Sequence, residues 1–583
     1  MATYYWVGGS GTWNNVSTTN WSNASGGASG FGPPNNADTA LFDALSGTGI
    51  VSVAATAVSA TTTVNNSGIE LSLTGSPTLC IASNNLNFTS GVLTLNTFTL
   101  TCGRFLSSNS NARTINFGTG NITVTGNATT IFGTTTATNL TVTGTPIVNC
   151  TYAGATGTRT LSLGNAGELN AISFNVSSGS DIVALGATGG SYKNINFTGF
   201  TGALTVAGSI VCFGNLTISS GMTLNAGTAS TTFAATSGTQ QITTNGKTLD
   251  FPITQNNPGA TLQLQDNLTM GSTRTFTLTA GTLDLNNQTL STGLFSSSNN
   301  NVRSIAFGTG NITVTGNSAS VFNITNGGAF LTLTGSKNVF AAYAGGVGSR
   351  TFNGSLASVS NPNNTFNIFV TNGTDNVIFR YNFLSVNLTG FAGTIQNTQP
   401  FVLWQNLTIP AGVTHLSDPS NFFIAFMCPT VATIITNGIT FNCPISFGFN
   451  TSQTITTGTY SFQDALNQNS AYDTTIFGGT VQLKDGVTST VGNFVANNSN
   501  VKFLQSTMPG SQATLSQASG TVNVVDLTIR DINAVGGASW NAYTDFENTD
   551  AGNNDGWNFS LSPPYSTAEL PVTLRPFTQP RRF

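Results

Sequence analysis

The chain has 583 residues, and only 6% of them are charged, against about 25% in an ordinary soluble domain. Thr, Asn, Ser and 65 Gly take the place of the missing charge, and the mean hydropathy is +0.08. No stretch approaches the ~18 consecutive apolar residues of a spanning helix, so membrane insertion is not expected. The 16 Lys and Arg are spread along a chain of net charge −4, which leaves no clustered cations for phosphate and argues against a nucleic-acid partner.

Exposed positions carry Thr, Asn and Ser rather than the Glu, Lys and Gln of helix surfaces, while 40 Phe supply material for a core. An all-β protein is therefore predicted. The opening Met1–Val7 has neither a basic nor an apolar leader region, so no export signal is expected there. Residues 1–45 hold three of the six Trp (Trp6, Trp13, Trp21) and read as an N-terminal capping module. Solenoids need such atypical ends, because an uncapped end exposes core and unpaired strand edges.

From residue 46 to 525, short alternating runs such as Ile122–Thr125, Leu140–Thr143 and Leu331–Thr334 are bounded by Gly or Asn. This is the period-two strand signal with turn punctuation and no 3.6-residue pattern between strands. Phe117–Asn127 is identical to Phe307–Asn317, displaced by 190 positions. Gly91–Asn96 answers Gly281–Asn286, Thr198–Gly202 answers Thr389–Gly393, and Thr244–Gly246 answers Thr436–Gly438. The duplication spans about 89–253 and 279–445, drifting only to 192. A further echo pairs Gly259–Asp266 with Gly478–Asp485 at a displacement of 219, which implies an insertion; Gln463–Tyr472 reads as a surface loop carrying it.

Slips of one residue within a preserved strand order are what stacked coils tolerate. We therefore expect a right-handed parallel β-helix with coils of roughly 20–25 residues, on the order of 100 Å long at ~4.8 Å per coil. The competing architecture is a string of β-sandwiches, whose repeats run near 100 residues. Six Cys without a CxxC pair make neither a disulfide scaffold nor a zinc site, and Cys80 and Cys102 are expected to stack inside adjacent coils. Residues 526–560, with Trp540, Trp557 and six acids, read as a closing module. Residues 561–583 read as an extended Pro-rich arm. Pro563, Pro564, Arg575, Arg581, Arg582 and Phe583 are its candidate assembly residues.

Chemistry is sparsely provided. His415, followed by Ser417 and Asp418, aligns with Leu224 of the first copy and reads as a strand residue rather than a catalytic base. Among the scattered acids only Asp266 finds an acidic counterpart, Asp485, although stacking can bring distant carboxylates together as in β-helical glycosidases. The segment Asp545–Trp557 has oxygen ligands but lacks EF-hand spacing, so Asx turns around a Trp plug are preferred. Arg113 matches Arg303 and Arg159 matches Arg350; each reads as a fork that binds carbonyls at a repeated corner. The interrupted Thr runs do not suit an ice-binding array. No catalytic residue, metal site or cofactor is assigned.

The segments Tyr5–Trp13, Asn20–Ser22 and Asp38–Asp43, together with Gly536–Trp540 and Gly552–Phe559, resemble the opening and closing modules of β-helical surface proteins of tailed bacteriophages. Bacterial adhesins are more distantly similar. The resemblance covers about 80 residues and implies a non-enzymatic virion protein: a tail fibre, spike or capsid-projecting appendage. Such a protein is assembled in the host cytoplasm and released by lysis. Its expected partners are other virion proteins, host-surface carbohydrate and, in a homotrimer, copies of itself. A polysaccharide-depolymerising tailspike and an exported adhesin are the alternatives.

Overall fold

The computed structural model describes residues 1–82, 84–154, 157–187, 189–324, 330–343, 348–355, 364–416, 422–448 and 457–562. Half of the chain is strand and 2% is helix. Two compact units form, Met1–Phe401 and Val402–Phe583, and each is a parallel β-solenoid. The assembly-arm residues Pro563, Pro564, Arg575, Arg581, Arg582 and Phe583, and the pair Ser417 and Asp418, lie outside the described residues.

The first unit starts on a Trp cluster. Strand Thr3–Trp6 pairs antiparallel with Trp21–Ser22 and parallel with Thr39–Phe42, so the chain turns back on itself before stacking begins. Trp6, Trp13 and Trp21 are fully buried, and each ring lies 5.6–5.8 Å from that of Phe42. The Trp6 indole N–H donates to Gly9 O at 2.7 Å. From Thr39 onward the strands stack in parallel: Thr39 on Thr61, Thr62 on Leu86, Phe105 on Phe132. Alternation sends Thr and Asn outward and Phe, Leu and Ile inward. The interior consequently carries aromatic columns, with Phe88, Phe105, Phe132, Phe174 and Tyr192 following one another at 5.2–6.3 Å.

Coil length is more variable than the expected 20–25 residues. It falls to 18 between Asn367 and Ser385 and rises to 31 between Ser320 and Thr351. Only the strands are held by the ladder, so corners lengthen without disturbing register. Cys80 and Cys102 are buried on adjacent coils but are not stacked: the residue opposite Cys102 is Leu79. Cys80 sits one residue further on, at φ 55°, with its thiol 3.7 Å from Ser59 Oγ. The column on Cys102 runs instead through Val124 and Cys150 to Val176.

The structure extends the duplication upstream to Thr61 and Ile253, and within the first unit the matching strands of the two copies stand on different sides of the solenoid. The bent strand Thr61–Leu73 has the bent strand Ile253–Leu264 as its counterpart, and each is followed by a second bent strand, Asn85–Thr94 and Thr275–Asp284. Yet Ile253–Leu264 belongs to the sheet that starts at Thr78–Leu79, the side after Thr61–Leu73. That sheet climbs through Thr99–Cys102, Asn121–Val124, Ile147–Cys150, Ile172–Val176 and Ser191–Asn196. It then passes through Ile210–Cys212 and Thr231–Phe233 to Ile253. One repeat is therefore eight coils and one additional side of the solenoid.

In the second unit, one sheet stacks Val431 on Thr459, Thr480, Phe503, Thr528 and Thr549. Another stacks Ile445 on Thr474, and a third stacks Thr488 on Thr514. Gln463–Tyr472 is not a surface loop. It contains the strand Asn467–Gln468, with Leu466 and Gln468 buried. Asp464 accepts hydrogen bonds from Thr436 N, Thr436 Oγ1 and Asn437 N, as Asp266 does from Thr244 N and Asn245 N. The structural counterpart of Asp266 is thus Asp464. Asp485 does something else, bonding Lys484 and Thr507. The last coils close on Trp540 and Trp557, opposite each other with rings 5.0 Å apart and Phe494 alongside.

Candidate functional site

His415 is buried in the strand Thr414–His415, as its alignment with Leu224 predicts. Asn442 N donates to its Nδ1 at 3.1 Å, and burial pushes its pKa down to about 4. A neutral imidazole held by a backbone N–H is a core residue.

The repeated arginines divide into two devices. Arg113 is a carbonyl fork. Its guanidinium donates to Ser107 O and Oγ and to Asn111 O, and it reaches the next coil at Thr136 O and Thr138 O. Arg303 repeats the local part, donating to Ser297 Oγ at 2.6 Å, Ser297 O at 2.5 Å and Asn301 O at 2.9 Å. Arg159 and Arg350 instead bind carboxylates. Each makes a two-pronged ion pair, with Asp181 and Asp375 respectively, in which both partners are buried. Each guanidinium also lies over a tyrosine ring, Tyr152 at 5.1 Å and Tyr343 at 5.3 Å. Asp181 and Asp375, read from the sequence as isolated acids, are therefore equivalent residues 194 positions apart.

A third copy of the carbonyl corner lies in the second unit and was not recognised in the sequence, because its cation is Lys502. The Nζ donates to Asn498 O at 2.6 Å, Asn498 Oδ1 at 2.9 Å and Asn500 O at 2.6 Å. Asn109, Asn299 and Asn498 each accept from the N–H two residues on. Asn111, Asn301 and Asn500 each donate to a carbonyl of the preceding coil. The shared signal, Asn-x-Asn-x-Arg/Lys, is legible only once Lys is allowed to replace Arg.

These corners shape the surface. In the first copy, Asn65–Gly68 bulges from one coil and Ser107–Ala112 bulges two coils later. The coil between them turns tightly at Ser90 and Gly91. Gly91 has φ 102°, and a Cβ there would come within 2.7 Å of Asn66 O and Ile69 O, so only Gly fits. A groove of about 450 Å³ remains, with Ser90 on its floor, Asn65 and Ser67 on one wall and Asn111 and Ala112 on the other. In the second copy the same construction gives about 740 Å³, with Ala280 and Gly281 as floor between Asn256 and Pro258 on one wall and Asn301 and Val302 on the other. The repeat is legible in the sequence but the grooves are not, because they arise from unequal corner lengths on successive coils.

Asp531, Asp550 and Asp555 of the closing segment each have their own partners. Asp531 accepts from Asn553 and Gly510 N, Asp550 from Gly552 N and Asn554, and Asp555 from Gln512. Glu547 has its carboxyl pushed upward by the neighbouring Asp526. Among the described residues no group of three or more His, Cys, Asp or Glu is arranged to hold a metal ion. No family model matches the chain, and no curated protein or solved structure is similar to it.

Proposed function

We propose that this protein is a non-enzymatic structural component of a tailed-phage virion, a tail fibre, spike or capsid-projecting appendage that contributes to host-surface attachment. The observation that carries the reading is where the two resembling segments sit. Trp6, Trp13 and Trp21 close the start of the first solenoid, and Trp540 and Trp557 close the last coils of the second. That placement, at the first coils of one unit and the last coils of the other, supports reading the two segments as opening and closing modules. A neutral exterior of Thr, Asn and Ser on stacked coils presents hydroxyls and amides at regular spacing, which suits contact with host-surface carbohydrate. Other virion proteins, and sister chains in a homotrimer, are the assembly partners this reading implies.

Mass spectrometry of density-purified particles from the source culture tests it. Peptides of this chain at a stoichiometry comparable with other structural proteins support the reading. Their absence from particles, with presence in the cell envelope, replaces it with the exported adhesin. Release of reducing ends from host polysaccharide by the purified chain, abolished by one Asp substitution, replaces it with the depolymerase.

A further inference from the structure

We infer that the two repeat-related grooves of the first solenoid are corresponding binding sites for an extended neutral polysaccharide chain, two per protein chain and facing different sides. The inference rests on the attachment reading for its biological use. The groove geometry stands independently of it.

Width comes first. Each groove spans the gap between bulges two coils apart, about 10 Å at ~4.8 Å per coil, which admits one linear polymer and no folded domain. Its course follows the strands, across the solenoid rather than along it.

The chemistry of the walls then selects the polymer. No ionisable side chain lines the first groove, and Arg303 alone lines the second. Arg303 is buried, and its guanidinium is committed to Ser297 and Asn301. A nucleic acid or an acidic glycan finds no cation there. Each groove offers an exposed amide on one wall, Asn65 or Asn256, and neither side chain has a hydrogen-bond partner among the described residues. On the opposite wall, Asn111 and Asn301 each spend one amide N–H on Thr89 O and Thr279 O, which leaves the second N–H to donate and Oδ1 to accept. Both walls therefore carry a donor and an acceptor, as a chain of hydroxyls requires. Pro258 and Val302, the latter 78% exposed, add an apolar strip to the second groove, matching the C–H face of a sugar ring.

An extended peptide is a poorer occupant. The floor strands are already paired on both sides, Gly91 with Arg113 and Ser90 with Asn65 in the first groove, and Gly281 with Arg303 and Ala280 with Asn256 in the second. No ladder edge remains for strand addition.

Because one repeat is eight coils plus a side, the grooves open on different faces. A trimer contact that covers one leaves the other exposed, and a chain within a polysaccharide layer is gripped from two directions.

Titration calorimetry of the full chain tests this, with tetra- to octasaccharide fragments of dextran, mannan and galactan set against alginate and hyaluronan fragments of the same length. We expect at least one neutral series to bind at two equivalents per chain. Asn256→Asp with Val302→Glu should reduce this to one equivalent, with binding in the altered groove weakened roughly tenfold or more. Adding Asn65→Asp with Ala112→Glu should remove the other. All four positions are exposed, so an unchanged melting temperature confirms that each variant folds. Binding of the acidic fragments alone, no binding of any neutral series, one equivalent on the unaltered chain, or binding indifferent to all four substitutions would overturn the inference. Absence of the chain from virions overturns the attachment reading and leaves this titration untouched, so the two fail separately.

Discussion

Single residues show how this fold handles charge. His415 stands where the first copy has Leu224, buried and neutral. Its lowered pKa means that between pH 6.5 and about 4 the unfolded chain binds a proton that the folded chain does not. Stability should therefore fall with acidification across that window, by roughly 3 kcal/mol at its lower end. His415→Leu should flatten that part of the pH–stability curve measured by chemical denaturation, at a constant cost of about 1 kcal/mol for the Asn442 N–H left without its acceptor. A slope unchanged in the variant would show that the imidazole is solvated. The ion pair Arg350–Asp375 gives a second test. Removing one partner leaves a buried charge, so Arg350→Met should cost about 3–5 kcal/mol, whereas Arg350→Met with Asp375→Leu should recover much of it. Additive losses in that cycle would contradict the pairing. The arginines were legible in the sequence because they recur. Their carboxylate partners were not, because the offset between Asp181 and Asp375 is 194 rather than 190–192, and loop slips of this size hide a lone Asp.

At the scale of elements, the recurring unit is a coil corner and its cation. Lys502 is fully buried, and desolvation lowers its pKa to about 8. Between pH 8 and about 10.4 the unfolded chain holds a proton that the folded chain has begun to lose, so stability should rise with pH there. Lys502→Arg should abolish that rise and match or exceed the parent melting temperature, since Arg113 and Arg303 occupy the same corner elsewhere. Lys502→Met should lower the melting temperature at every pH by leaving the Asn498 and Asn500 carbonyls buried without a donor. A Lys502→Arg variant that keeps the alkaline rise would assign it to another group. Strand positions are readable because alternation and Asn/Gly punctuation follow directly from a pleated, cornered chain. Corner lengths are not, so Gln463–Tyr472 reads as a loop in the sequence although it holds a strand, and the grooves leave no local signature. Nothing in local sequence states that Ser90–Gly91 turns tightly between two coils that bulge.

For the whole molecule, low charge and a slipping duplication have one origin. Equivalent positions on stacked coils lie about 4.8 Å apart, so a like charge on successive coils would repel its neighbour. Thr, Ser and Asn instead bond along the stack, as Asn175 donates to Asn149 and Asn149 to Asn121 at 3.0–3.1 Å. Several of the remaining charges sit at a corner or in the closing coils with partners of their own, as Arg113, Lys502 and Asp531 do. The parallel solenoid and its Trp-capped ends were legible in the sequence; its division into two compact units and the turn of one side between the repeat copies were not, because both depend on how coils are counted around an axis. The proposed function has these solenoids projecting from a phage particle. Electron cryomicroscopy of purified particles, decorated with an antibody raised against residues 61–124, is the decisive experiment. That function predicts antibody on surface projections whose density shows strands stacked at the ~4.8 Å spacing of a solenoid; particles that bear no antibody, or projections with helical density, would contradict it.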